Sequence, residues 1–188
     1  MSASPLSFKE LIDLAKAGDR EAFDTLYESH LTPVYRYVYV RVRNKEDAED
    51  IVQDTFMKAY QALERYEVTG DNFFPYLFTI ARNLLINHGK KKKSEPTPHD
   101  VLDRADGGMS ATASAEARET HEVIIDAMSV LSDTEREVIS LRFLAERSYQ
   151  DIAKMLDKNP DAIRQHVARA MKKMKQALGS STQLPHLS

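Results

Sequence analysis

The stretch SYQDIAKMLDKNPDAIRQHVARAMKKMKQ, residues Ser148–Gln176, predicts two helices joined by a tight break. Ser148 is a typical N-cap residue for the first helix. Asp157 falls in the break, where a left-handed backbone is expected and where aspartate is tolerated better than most residues. Asn159 then suits the N-cap of the second helix, with Pro160 at its first position. The pattern is typical of a helix-turn-helix.

The second of these helices separates apolar from basic residues. At about 100° per residue, one face collects the apolar positions Ile163, Val167, Ala170 and Met174, which we expect to be buried. The opposite face and its flanks carry Arg164, Gln165, Arg169, Lys172 and Lys173. Arginine forks onto guanine, glutamine pairs with adenine and lysines neutralise phosphates, so this face suits the major groove of duplex DNA. The alternative interpretation is a basic surface that is only solvated.

Composition limits the class of protein. The chain has 188 residues, which at roughly 100–200 residues per domain means one domain or two small ones. Its net charge is −3, so nucleic-acid binding would depend on local basic patches. It contains no cysteine, which excludes disulfides and thiolate zinc sites and fits the cytoplasm. The N-terminus lacks signal-peptide features, and no apolar run predicts membrane insertion.

Catalysis is not predicted. The 6 histidines have no metal-ligand spacing, and the sequence has no glycine-rich phosphate loop and no nucleophile elbow. We therefore predict no catalytic residue, no metal site and no cofactor.

The N-terminal half reads as helical throughout. Ser7 and Glu10 form a capping box, and Gly18 ends the first helix. Pro33 is expected to start a further helix, VYRYVYVRVRN, although its β-branched and aromatic residues favour a strand by propensity. Because all its neighbours are helical, we predict an all-α fold.

The segment KEDAEDIVQDTFMKAYQALERY, from Lys45 to Tyr66, predicts an amphipathic helix with an acidic outer face. Its apolar stripe comprises Ala48, Ile51, Val52, Thr55, Phe56, Ala59 and Leu63. Opposite the stripe lie Asp50, Asp54, Met57 and Gln61, with Asp47 and Lys58 beside them. An acidic row with an exposed methionine suits docking of a basic protein helix. A solubilising surface is the alternative.

The next helix, PYLFTIARNLLINHGKKKK, is basic. Leu77, Ile80, Ala81 and Leu84 should pack inward, whereas Thr79, Arg82, Asn83, Ile86 and Lys90 should face outward. Asn72, Phe73, Phe74 and Tyr76 precede or open this helix. Rings beside amides and cations are what single-stranded bases require, because the bases stack while the cations hold the backbone. The alternative is that these rings belong to the core.

Residues 94–117 collect proline, glycine, serine, threonine and aspartate without periodicity, which predicts a flexible linker. The expected organisation is therefore a helical domain at 1–93, the linker at 94–117, a helix-turn-helix domain at 118–178 and a disordered tail at 179–188.

The segments DAEDIVQDTF and LFTIARN, followed by the linker, LSDTEREVISLRF and the opening stretch, resemble the extracytoplasmic-function (ECF) group of bacterial RNA polymerase sigma factors, in the sigma-70 family. The resemblance extends from about Ala22 to Lys175. It implies a first domain that binds core RNA polymerase and the promoter −10 element, and a second that binds the −35 element. It also implies an anti-sigma factor as a candidate partner.

The resemblance assigns roles residue by residue. Contact with the clamp helices of the largest polymerase subunit falls to Asp47, Asp50, Gln53, Asp54 and Lys58. Contact with the −10 element of promoter DNA falls to Asn72, Phe73, Arg82, Asn83 and Lys90. Contact with the −35 element falls to Arg164, Gln165, Arg169, Lys172 and Lys173.

Three residues depart from the family pattern, which often has tryptophan at Tyr76, aspartate at Asn87 and glycine at Asp157. These departures concern which promoter sequence is read. The competing hypothesis is a stand-alone helix-turn-helix regulator, which would bind a palindromic duplex as a dimer without polymerase.

Overall fold

The computed structural model describes residues 6–68, 70–94 and 123–181, with the side chains of 92–94 and 180–181 excepted. These ranges contain helices and turns but no β-strand, which confirms the all-α prediction. The chain divides into two compact units, Met1–Arg104 and Ala105–Ser188. No helix within the described ranges has the length and hydropathy needed to cross a bilayer.

Within residues 6–68 and 70–94, the first unit contains four α-helices and a short 3₁₀ turn. The helices are α1 (Phe8–Lys16), α2 (Arg20–Val42), α3 (Lys45–Gln61) and α4 (Phe74–Ser94), and the turn is Leu63–Arg65. The predicted capping box starts α1: the Ser7 hydroxyl accepts from the Glu10 amide at 3.3 Å, and the Glu10 carboxylate accepts from the Ser7 amide at 2.8 Å. Gly18 follows α1 with φ +92°, the left-handed backbone that glycine adopts most readily.

The expectation that a new helix begins at Pro33 is wrong, because α2 runs through this residue without interruption. A proline inside a helix costs about 3 kcal/mol, since it removes one hydrogen bond and crowds the preceding turn. Here tertiary packing offsets the cost: α2 contacts α1, α3 and α4 and buries Val34, Tyr37 and Val38 almost completely. The same packing explains why a stretch with strand propensity is helical, as predicted.

The predicted apolar stripe from Ala48 to Leu63 is buried, although α3 ends at Gln61, short of the predicted Tyr66, and Leu63 lies in the 3₁₀ turn that follows. On α4, Leu77, Phe78 and Ala81 enter the same core, and Ile80 and Leu84 are partly exposed at its edge. Because α3 and α4 pack against each other, their remaining faces lie side by side on the surface of the unit.

The second unit is built on the helix-turn-helix. Residues 123–181 of this unit include α5 (Asp133–Ile139), α6 (Tyr149–Leu156) and α7 (Pro160–Ser181). The same range also contains helical residues 123–127, a 3₁₀ turn Met128–Val130 and a π-helical turn Ser140–Leu144. Asp157 ends α6 with φ 51° and ψ 54°, the left-handed conformation predicted for it. The Asn159 side chain accepts a hydrogen bond from the Asp161 amide at 2.8 Å, as expected of the residue before Pro160.

The start of the predicted tail needs correction. Residues 179–181 belong to α7, because an established helix gains one backbone hydrogen bond for each residue it adds. The rest of the tail and nearly all of the predicted linker lie outside the described residues. The 93/94 and 117/118 domain boundaries therefore stay predictions.

Candidate functional site

The acidic row lies on the outer face of α3. The Asn44 side chain caps the helix by accepting from the Asp47 amide at 2.8 Å. Asp50, Gln53 and Asp54 are all exposed on the side away from the core. Met57, one turn further along, is 47% exposed. The structure therefore brings three of the five predicted polymerase contacts together, beside an apolar side chain that a partner could cover.

Asp47 and Lys58, the other two predicted contacts, have different neighbours. Asp47 is partly buried, and its Oδ2 lies 3.4 Å from Nε2 of His88 on α4. Lys58 is exposed but lies at a groove between α3 and α4. Asp47 thus joins the two helices, and Lys58 faces the surface assigned to DNA.

This α3–α4 groove has a volume of about 360 Å³, within the range of small-molecule clefts. Its lining combines an aromatic ring, amides, a cation and aliphatic side chains: Lys58, Ala62, Tyr76, Ile80, Asn83, Leu84 and Asn87. The Tyr76 phenol keeps its hydroxyl proton at pH 7, as a tyrosine with the ordinary pKa of 10.0 does, and burial raises this pKa further. A partly exposed ring beside two amides can stack a single base and hydrogen-bond its edge.

The sequence interpretation did not connect Lys58, Ala62 and Asn87 with Asn83. Lys58 lies in the last turn of α3 and Ala62 is the C-cap residue four positions later, and Asn83 and Asn87 are one turn apart on α4. Helical spacing therefore pairs the residues within each helix. Helical spacing does not predict which two helices pack against each other, because that depends on tertiary structure.

Phe73 is not available to bases in this structure, and its assignment to the −10 contact needs correction. Its side chain is 0% exposed and packs against the rings of Phe8, His30, Tyr66 and Tyr76, at centroid distances of 6.5, 6.1, 5.3 and 5.3 Å. Burying an aromatic ring among other rings is favoured both by removal from water and by ring–ring contact. The alternative considered for this ring, a place in the core, is the correct one.

The remaining residues assigned to the −10 element lie around α4. The Asn72 side-chain oxygen accepts from the Phe74 amide at 2.7 Å and lies 3.3 Å from Nε2 of His30, so it caps the start of α4. Arg82, Asn83 and Lys90 are exposed. Asn83 and Lys90 are seven residues apart, about two turns or ~10 Å along the same side of the helix. The structure therefore places an amide at the groove and a cation beyond it.

The apolar face of α7 is buried as predicted, and Gln165, Arg169 and Lys172 are exposed on the other side. Arg164 is also exposed and forms an ion pair with Asp161. Its guanidinium lies 5.8 Å from the centre of the Tyr149 ring, at the start of α6. The first turn of α7 is thus fixed against the first turn of α6.

Arg142 is a second cation at Tyr149 and was not identified from the sequence. The π-helical turn places its guanidinium 5.0 Å from the Tyr149 ring centre, and its Nη1 donates to the Arg147 carbonyl at 3.1 Å. The sequence feature that could have predicted this contact is Tyr149, directly after the N-cap Ser148, because it presents a ring to nearby cations at the start of a helix.

Lys173 has an internal partner. Its Nζ lies 2.8 Å from Oε2 of Glu135, whose residue is only 5% exposed and which also accepts from Ser132 in the capping box of α5. The hydrogen bond from Lys173 and then those from Ser132 lower the pKa of Glu135 to about 2. Lys173 therefore holds α7 to α5, which differs from its predicted −35 contact.

The comparisons with known proteins agree with this arrangement. The family described as sigma-70 region 2 matches residues 26–95, and sigma-70 region 4 matches residues 127–176. The ECF RNA polymerase sigma factor BldN of Streptomyces coelicolor is 33% identical over 171 residues, covering 90% of this chain and 65% of that protein. The ECF RNA polymerase sigma factor SigM of Bacillus subtilis is 30% identical over 152 residues, covering 81% of this chain and 92% of that protein.

A solved structure has the same fold. The sigma factor RpoE of Bartonella quintana, in complex with the anti-sigma factor NepR, aligns with a TM-score of 0.66 at 24% identity, covering 85% of this chain and 98% of that one. The chain spans about two thirds of the length of BldN and nearly all of SigM. Within the described residues, no group of three histidine, aspartate or glutamate side chains could hold a metal ion. With both sigma-70 regions matched and a relative covered almost throughout, this chain belongs to the ECF sigma factors of the sigma-70 family.

Proposed function

We propose that this chain binds core RNA polymerase and directs it to promoters, opening the duplex at the −10 element and anchoring at the −35 element. The chain itself catalyses nothing, and it acts in the cytoplasm, where polymerase and DNA are. The observation that carries the proposal is the α3–α4 pair, which presents an acidic row and a groove of about 360 Å³ lined by a ring and amides on neighbouring faces of one unit.

The acidic row is the proposed polymerase contact. Asp50 and Asp54 are one turn apart, both are exposed, and Met57 continues the row with an apolar surface. Charge complementarity of this kind steers association and fixes register with a basic partner helix. We assign the contact with the polymerase clamp helices to Asp50, Gln53 and Asp54, with Asp47 held beside them by His88.

The α3–α4 groove is the proposed site for a base taken out of the duplex. Tyr76 supplies the stacking surface, and Asn83 and Asn87 supply amides for the base edge. Extruding one base costs a few kcal/mol, and stacking on a ring recovers roughly 1–3 kcal/mol, so hydrogen bonds and cations supply the rest. Lys58, Arg82 and Lys90 can hold the phosphates of the displaced strand.

The α7 helix is the proposed reader of the −35 element. Arg164 and Gln165 lie in its first two turns, where a recognition helix meets base edges in the major groove. Each bidentate pair gives roughly 1–3 kcal/mol of discrimination between bases. An anti-sigma factor, such as the one bound to the Bartonella quintana protein, is a proposed further partner.

The polymerase contact can be tested by reversing two charges. The Asp50→Lys/Asp54→Lys variant should fold normally and lose affinity for core polymerase by about 100-fold, because two favourable pairs worth ~3 kcal/mol together become repulsive. Asp24 and Glu28 provide a matched control, since they are an exposed acidic pair at the same spacing on α2. Their double lysine variant should bind polymerase normally.

The measurement is the equilibrium affinity of purified chain for purified core polymerase, followed by run-off transcription on a genomic fragment pool. Equal affinity for wild type and the Asp50/Asp54 variant would remove the assigned contact. Wild-type chain that binds a palindromic duplex alone, with no affinity for polymerase, would favour the stand-alone regulator.

A further inference from the structure

We propose that the groove between α5 and α7 seats a phosphate of the DNA backbone, so that Arg169 and Lys172 hold a strand and do not read bases. Base reading by α7 is then confined to Arg164 and Gln165. This inference rests on the proposed function, because it requires α7 to enter promoter DNA.

The groove is a distinct feature of the second unit, with a volume of about 440 Å³. One wall is the start of α5, including Ser132, Thr134 and Glu135, and the other is the middle of α7, including Arg169 and Lys172. Side-chain hydroxyls and cations are the groups that most often contact phosphate oxygens in DNA complexes. The Ser132 hydroxyl donates to Glu135 Oε2 at 3.0 Å, so the groups of the lining that suit a phosphate are the Thr134 hydroxyl and the cations of Arg169 and Lys172.

The charges in the groove leave two cations for a ligand. Glu135 and Lys173 cancel each other, since they are paired at 2.8 Å. Arg169 Nη2 lies 3.3 Å from Nδ1 of His166, and because arginine only donates, this nitrogen must be unprotonated. Burial, and then the charges of Arg169 and Lys158, lower the pKa of His166, which agrees with a neutral ring. The positive charge of the groove thus comes from Arg169 and Lys172.

Position along α7 separates these two residues from the base readers. Gln165 lies about 8 Å from the start of the helix, whereas Arg169 and Lys172 lie ~14 and ~18 Å along it at 1.5 Å per residue. In helix-turn-helix proteins the N-terminal residues of the recognition helix meet base edges, and in the homeodomain variant its C-terminal end contacts the backbone. The positions of Arg169 and Lys172 along α7 therefore correspond to the part of a recognition helix that contacts the DNA backbone.

Phosphate contacts and base contacts respond differently to salt and sequence. Each neutralised phosphate contributes about 0.9 to the slope of log affinity against log salt concentration. Arg169→Ala and Lys172→Ala should each lower this slope by about 1 and weaken cognate and scrambled −35 sequences equally. Gln165→Ala should weaken the cognate sequence alone and leave the slope unchanged.

Two further variants sharpen the comparison. Lys175→Ala removes one exposed cation from the same helix outside the groove, and it should change the slope less than Lys172→Ala. Arg169→Lys keeps the charge but loses the planar fork, so a phosphate contact should survive and a guanine contact should not.

The experiment uses the full chain assembled with core polymerase and a duplex promoter fragment selected by run-off transcription, with the same fragment scrambled at the −35 element as second probe. Assembly is measured first without DNA, so a failure there removes the proposed function and this inference together. With assembly intact, an unchanged slope for Arg169→Ala and Lys172→Ala would overturn the inference alone. Loss of discrimination in Arg169→Lys would do the same, because it would make Arg169 a base reader.

Discussion

Replacing Phe73 distinguishes a ring that supports the fold from a ring that binds DNA. The side chain is 0% exposed, and four other rings surround it. Removing such a ring to alanine costs about 3–5 kcal/mol through lost burial and the cavity that remains. A small domain has only about 5–15 kcal/mol of stability, so Phe73→Ala should remove about a fifth of it or more. For a unit of this size the melting temperature should fall by roughly 12 °C or more.

Leucine at the same position provides the informative variant. Phe73→Leu keeps most of the apolar volume and loses the ring contacts, at about 0.5–1.5 kcal/mol for each pair that matters. The variant should therefore stay folded at 25 °C. Tyr76→Leu is the matched comparison, because Tyr76 is only partly buried and lines the α3–α4 groove.

The assays are calorimetric unfolding of the full chain, which reports stability, and permanganate reactivity of the −10 element with assembled polymerase, which reports strand opening. We expect Phe73→Leu to be less stable and to open the promoter normally. Tyr76→Leu loses its ring contacts with Tyr66 and Phe73, so it should lose some stability, though less than Phe73→Leu, and it should open the promoter poorly. The reverse pattern, with a folded Phe73→Leu that fails to open DNA and a Tyr76→Leu that succeeds, would refute the reasoning from burial.

Two further predictions concern the second unit. Hydrogen bonds hold the pKa of Glu135 at about 2, below its ordinary 4.5, so the stabilisation that Glu135 gives is full above pH 4.5 and is lost as the pH falls towards 2. The melting temperature of the Glu135→Gln variant should therefore fall less between pH 7 and pH 2.5 than that of wild type. Asp157 has φ 51°, a left-handed backbone that strains residues with a side chain and that glycine adopts freely. Asp157→Gly should therefore stabilise the unit by about 0.5–1 kcal/mol, measured as a higher melting temperature, and Asp157→Ala should not. Equal melting temperatures for the two variants would contradict backbone strain at this position.

Local features of the sequence predicted local features of the fold. The capping box at Ser7, the left-handed residue at Asp157 and the buried stripes of α3 and α7 each depend on residues within one or two turns of each other. Helical spacing and capping chemistry are sufficient for such features. The outer faces of α3 and α7 follow from the same periodicity, which is why Asp50, Asp54 and Gln165 are exposed as expected.

The errors concern contacts between residues distant in the chain. Phe73 is buried because Phe8, His30 and Tyr66 come from other elements, and Lys173 pairs with a carboxylate 38 residues away. Periodicity assigns a residue to a face and gives no information about which element covers that face. Pro33 shows the same limit, since its local cost is offset by packing on three other helices.

Asp47 explains why polymerase binding and strand opening need separate tests. Its pairing with His88 joins α3 to α4, and both the acidic row and the α3–α4 groove are built on this helix pair. A substitution at Asp47 would therefore remove a charge from the proposed polymerase contact and also disturb the helix that carries Asn83. Asp50 and Asp54 have no such role in the described contacts between α3 and α4, so reversing them changes the row alone. Loss of opening in an Asp47 variant with normal polymerase affinity would follow from the helix pairing, whereas the same loss in the Asp50/Asp54 variant would follow from failed assembly.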